Sequence, residues 1–159
     1  ALQILLEYYG IDVREGDLIA ELQSTSNGTS VKEMISYLHK RGLQVYAKCG
    51  ISLDKIRQFV GTGYPVIVLV QAWVERLMTL EEWGTEYNNG HYVIVIGFEN
   101  GKVIFADPAT ISVHRTWMSE DEFVRRWHDM DPRTKARLEH FAMAVLEQKP
   151  ASKALEHLG

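Results

Sequence analysis

The sequence holds one cysteine, Cys49, among 159 residues. An internal disulfide is therefore impossible, and the redox compartment stays open. No apolar run approaches the ~18 to 20 residues of a membrane-crossing helix, so a soluble chain without direct membrane insertion is expected. A membrane-bound parent is compatible with this. Excess positive charge is also missing: the formal net charge is −4, which argues against nucleic acid or an anionic lipid surface as a partner. The histidines show no His-x-x-x-His or similar ligand spacing, and neither a metal nor another cofactor is expected. No internal repeat or low-complexity segment appears, and no signal peptide is visible in these residues. The chain opens on Ala1, not methionine, inside an apparent helix, and it reads as a fragment or processed product.

What is present suits one globular domain. Apolar residues make up 46% and charged residues 24%, and the length is enough to bury a core. Leu2, Leu5, Leu6 and Tyr9 form a helical stripe ended by Gly10, and residues 14–23 repeat the pattern in short form. Residues 24–28 read as a polar turn. Ser30 and Glu33 form a capping box for a helix through Met34, Ile35 and Leu38. A short strand over 43–48 and a helix capped by Ser52 follow. Residues 65–71 are almost wholly apolar and predict a central strand covered on both faces. Residues 72–89, rich in tryptophan and charge, read as a long irregular connection. A third antiparallel strand is expected at 111–117, and Ser119 and Glu122 suggest a second capping box. Residues 137–147 are ambiguous between helix and strand, with strand preferred. Helices first and then a mostly antiparallel sheet make an α+β fold. The domain is placed at 1–148, with 149–159 as a loose tail.

The organising stretch is Gly90-His91-Tyr92-Val93-Ile94-Val95-Ile96-Gly97-Phe98, followed by Lys102-Val103-Ile104-Phe105-Ala106-Asp107-Pro108. Two β-branched runs around Glu99-Asn100-Gly101 predict a hairpin. His91 opens one strand and Asp107 closes the next, so imidazole and carboxylate can meet. Either residue alone reads more simply as a core histidine or a turn aspartate; only the pair favours chemistry. A histidine oriented by an aspartate is two thirds of a nucleophilic triad. Cys49 is a poor third member: it ends a strand rather than heading a helix, and buried filler is its simpler role. Asn27-Gly28-Thr29 matches a glycosylation sequon, a pattern frequent by chance. Trp73, Trp83, Trp117 and Trp127 line a groove or fill the core.

The run Ala1-Leu2-Gln3-Ile4-Leu5-Leu6-Glu7-Tyr8-Tyr9-Gly10 resembles the catalytic helix of the bacteriocin-leader (double-glycine) cysteine peptidases, in the papain-like clan. The likeness continues through Asn27-Gly28-Thr29, Arg41-Gly42-Leu43, Tyr64-Pro65-Val66-Ile67, Gly90-His91-Tyr92-Val93 and Phe105-Ala106-Asp107-Pro108. It ends in Asp121-Glu122-Phe123 and Trp127, covering roughly residues 1 to 130. It implies a papain-like fold in which N-terminal helices pack on the sheet. His91 would be the catalytic base and Asp107 its orienting partner, with Trp73, Gly90 and Tyr92 as substrate contacts. The family's nucleophilic cysteine would lie three or four residues before Ala1, and its oxyanion glutamine further upstream. Gln3 and Gln71 are not in the matching position. The 159 residues alone should then be inactive.

The implied substrate is a peptide with small residues at the cut, since the family cleaves after double glycine. A membrane transporter is the implied parent or partner, any ATP belonging to it, with the domain cytoplasmic or at the inner membrane face. Residues 72–89 exceed the leader-processing pattern and look more like stand-alone relatives. Two other functions fit the same resemblance: a degenerate domain that binds a polypeptide without cutting it, and an amide hydrolase or acyl transferase.

Overall fold

The computed structural model describes residues 1–147 except Asn27, Trp73, Glu75 and residues 108–114. The expected tail at 149–159, the sequon asparagine and most of the strand expected at 111–117 lie outside the described residues.

Apolar stripes at helical spacing bring three N-terminal helices onto one core. α1 (Leu2–Tyr8) buries Leu2, Leu5 and Leu6, and Gly10, at φ 77°, takes the left-handed conformation that ends it. α2 (Glu15–Glu21) buries Leu18; α3 (Val31–Lys40) buries Val31, Met34, Tyr37 and Leu38. All three pack on one face of a six-stranded sheet. Its strands are β1 (Val45–Lys48), β2 (Val66–Gln71), β3 (Gly90–Glu99), β4 (Lys102–Ala106), β5 (Thr116–Ser119) and β8 (Ala142–Val145). The order is β1-β8-β2-β3-β4-β5, antiparallel at each step. On the opposite face, α4 (Leu53–Gly61) and α6 (Glu120–Arg126) cover a second core with Ile56, Phe105, Phe123 and Trp127. The architecture is α+β, as the element order implies, with helices on both faces. β2 is buried along its whole length, because both helix layers meet across it. β6 (His128–Met130) and β7 (Arg137–Glu139) form a separate hairpin. Among the described residues no helix is long and apolar enough to cross a membrane.

Several local expectations change. The 72–89 connection contains α5 (Leu80–Thr85), started by a true capping box. Thr79 Oγ1 accepts from Glu82 N–H (3.1 Å), and Glu82 Oε2 accepts from Thr79 N–H (2.7 Å). At Ser119 only half a box forms, because Glu122 pairs with Arg126. The strand preference at 137–147 is right, but the segment splits between β7 and β8 in different sheets.

Ser30 makes no capping box. Its buried hydroxyl donates to Asp131 Oδ2 (3.0 Å), as does Val31 N–H (3.3 Å), while Glu33 pairs with Arg133. A distant carboxylate thus caps α3. Burial pushes the Asp131 carboxyl up, but bonds from Thr134 N–H, Arg133 N–H, Ser30 and Val31 outweigh it and hold it below the ordinary range. A carboxyl depressed by folding stabilises above its unfolded value of about 4, and that contribution is lost as pH falls through the folded value. Asp131→Asn should therefore cost ~1–3 kcal/mol at pH 7 and flatten the loss of stability below about pH 4. Urea unfolding between pH 3 and 7 checks this; parallel pH curves for both chains would contradict it.

Candidate active site

The hairpin that carries His91 and Asp107 closes on a turn that suits its residues. Asn100 (φ 49°) and Gly101 (φ 74°) both adopt positive φ, as the two-residue turn matching strand twist requires. From Glu99↔Lys102 to Gly97↔Ile104 the register is regular; it then shifts, and Val95 pairs with Phe105 and Ile94 with Ala106. Ile96 is the extra residue of a β-bulge. The bulge has a direct consequence for the site. In the unshifted register Asp107 would lie opposite Ile94 and point to the face away from His91. With the shift, Asp107 falls beside Val93, on the face shared by Val93, Val95 and Phe105, one diagonal step from His91.

His91 Nε2 and Asp107 Oδ1 are 2.7 Å apart. Their side chains are 19% and 9% exposed, so the bond is sheltered while the ring still reaches solvent. An aspartate on Nε2 fixes the tautomer and leaves Nδ1 as the atom through which the ring would exchange a proton. The start of α1 is near: Ala1 lies within electrostatic reach of the Asp107 carboxylate.

His91 separates two hollows. On one side is a cleft of about 670 Å³ lined by Thr29, Tyr87, Gly90, Tyr92, Asp129 and Asp131, among others. On the other is an apolar recess of about 180 Å³ that includes Val70, Phe105, Trp117 and Arg126. Tyr87 and Asn88, which follow α5, form part of the cleft wall. Trp83 stacks under the Arg126 guanidinium at 4.0 Å, Tyr87 packs on His128 at 4.5 Å, and His128 Nε2 donates to the Glu86 carbonyl (2.6 Å).

Of the expected contact residues, Gly90 and Tyr92 line the cleft, and Trp73 lies outside the described residues. Tyr92 gives its hydroxyl to the Thr29 carbonyl (2.7 Å). Burial, with Asp131 and Asp129 nearby, pushes its phenol far above the ordinary value. Gly90 has no room for a side chain: a Cβ there would overlap the Asp129 carboxylate, whose farther oxygen would be 2.7 Å away. Gly90→Ala should cost ~1–3 kcal/mol by overpacking. Urea unfolding checks it, and a change below about 0.5 kcal/mol would contradict the contact.

Cys49 is exposed, not buried filler. Partial desolvation and then Glu139 push its thiol up, opposite to what a nucleophile needs. Two strands, β8 and β2, separate its strand from β3, a gap of about 14 Å at the usual strand spacing. Sequence reasoning missed Gln71, Asp129 and Asp131. The one available signal was a glutamine ending an otherwise apolar strand. Among the described residues no group of three or more His, Cys, Asp or Glu is placed to hold a metal.

Two solved structures share this fold. One is the peptidase domain of ComA from Streptococcus, a bifunctional ABC transporter involved in quorum sensing. Its TM-score is 0.63 at 21% identity, over 91% of this chain and 85% of that one. The other is described as a C39-like peptidase from Bacillus anthracis. Its TM-score is 0.67 at 17% identity, over 94% and 87% of the two chains. No curated protein matches the chain. The sequence model of the Peptidase_C39 like family matches residues 1–134. With most of its length matched, and the fold of C39 peptidase domains, this chain belongs to the Peptidase_C39 like family.

Proposed function

We propose that the chain is the histidine–aspartate part of a papain-like cysteine peptidase domain. Its nucleophile is a cysteine three or four residues before Ala1 in the parent protein. The observation that carries this reading is the sheltered 2.7 Å bond between His91 and Asp107 at the edge of a 670 Å³ cleft. Asp107 holds Nε2, and Nδ1 takes the thiol proton. The thiolate attacks the peptide carbonyl, and an upstream glutamine steadies the oxyanion. His91 then returns the proton to the leaving amine as the C–N bond breaks. Water, deprotonated by the same ring, hydrolyses the thioester and releases the thiol.

The substrate is a peptide with small residues at the cut, of the double-glycine leader type. The solved transporter domain of the same fold supports a transporter parent, which would put the domain on the cytoplasmic side. Residues 1–148 form the domain and 149–159 a tail. By this account the 159 residues alone do not hydrolyse peptides, since loss of the nucleophile costs on the order of 10⁶ in rate. A peptide with an internal Gly-Gly, incubated with parent and with this chain, tests the reading; equal cleavage by both would overturn it. The distance of Cys49 from His91 favours a second reading, in which the chain as given only binds a polypeptide.

Cys49→Ser should leave the parent's peptide hydrolysis unchanged, since no transition-state interaction is removed. A steady-state assay measures it, and loss of thiol-dependent turnover would restore Cys49 as the nucleophile.

A further inference from the structure

β2 is apolar from Val66 through Val70 and then ends on a glutamine as fully buried as they are. A buried amide is unfavourable unless its donors and acceptor are satisfied. A sixth apolar residue would have completed the strand without that demand. Gln71 meets it by joining three segments. Its Nε2 donates to the His128 carbonyl (3.0 Å) and to Asp129 Oδ1 (3.1 Å), and its Oε1 accepts Asn89 N–H (2.8 Å). Its own carbonyl accepts from Arg126 Nε (2.8 Å), and Ala72 N–H donates to the Asn89 carbonyl (2.8 Å). In the ladder, Gln71 is paired with Gly90. Against Gly90 stands the Asp129 carboxylate, in the space a Cβ would fill, and Gln71 holds that carboxylate. Residues 89 and 90 are thus gripped by one side chain, directly and through Asp129. His91 comes next.

We infer that Gln71 is a positioning residue for His91, fixing the backbone from which the imidazole reaches Asp107. Its amide groups are all engaged, so it is neither an oxyanion donor nor a substrate contact. The inference rests on His91 being the proton-transfer residue of the proposed peptidase. A displacement of about 1 Å at such a group costs on the order of 10²-fold in rate.

The test is Gln71→Glu, which keeps the size and the acceptor toward Asn89 but sets a carboxylate against Asp129. Its partner is the double variant Gln71→Glu/Asp129→Asn, which restores a donor opposite that carboxylate. NMR of the 159-residue chain follows the His91 ring resonances, including Nε2 in its bond to Asp107. Steady-state kinetics of the parent follow kcat and KM separately. Gln71→Glu should move the His91 resonances and lower kcat about 10- to 100-fold, with KM within about twofold. The double variant should recover most of both. A folded Gln71→Glu chain with unmoved His91 resonances overturns the inference, as does a double variant no better than the single one. If Gln71→Glu does not fold, hydrogen exchange in the unaltered chain decides. The Asn89 N–H lies outside β3 and should exchange as slowly as the strand amides; exchange at exposed-loop rates overturns the inference. A parent without turnover sinks the peptidase reading, and the NMR arm still reports the link between Gln71 and His91.

Discussion

His91→Ala in the parent protein should abolish peptide hydrolysis, a loss on the order of 10⁴ to 10⁶-fold, with folding close to unchanged. The imidazole is the group that would both take the thiol proton and return it to the leaving amine, so both halves of the reaction fail together. It opens to the cleft and is only partly buried, so its removal takes little from the core. Asp107→Asn should cost less, because the ring stays near its place and loses mainly its preferred tautomer. Steady-state assays and thermal melts of both variants decide the matter. A His91→Ala protein that retains turnover would end the triad assignment. A silent Asp107→Asn would reduce Asp107 to a turn residue.

Trp127→Ala is the substitution expected to damage the fold most. Trp127 follows α6, is 1% exposed, and stacks between Phe123 (4.8 Å) and His140 (4.5 Å). Its Nε1 donates to the Phe141 carbonyl (2.8 Å), and its own carbonyl accepts His140 N–H (3.1 Å). The ring therefore ties α6 to the segment that enters β8. Truncation leaves a cavity and a buried carbonyl without its donor, and should cost ~3–5 kcal/mol. Circular dichroism during urea unfolding measures this. A loss below about 1 kcal/mol would mean that the site collapses around the gap.

The hairpin was legible because each level of its sequence agrees: β-branched strands, Asn-Gly at the turn, polar ends. The contact between His91 and Asp107 was inferred for a reason that was incomplete. Placing the start of one strand beside the end of the next brings the residues to one end of the sheet, but only the Ile96 bulge puts them on one face. No residue in Val95-Ile96-Gly97 marks the bulge unambiguously. β8 could be suspected as a strand from its alternation, yet its insertion between β1 and β2 depends on partners far away in sequence. α5 was missed because it is one short turn and a half with Trp83 as its buried residue, too little for a periodic signal. Ser30 and Glu33 looked like a local cap; Asp131 and Arg133, about 100 residues on, took both partners. Local chemistry was readable where the contacts are local.

Thiol labelling of the parent protein with iodoacetamide near neutral pH, mapped by mass spectrometry, would locate the thiolate that His91 activates. The expected adduct falls on a cysteine three or four residues before Ala1, formed faster than any at Cys49 and slowed by His91→Ala. A parent with no cysteine there, or one labelled only at Cys49, would contradict it and leave binding as the function of the cleft.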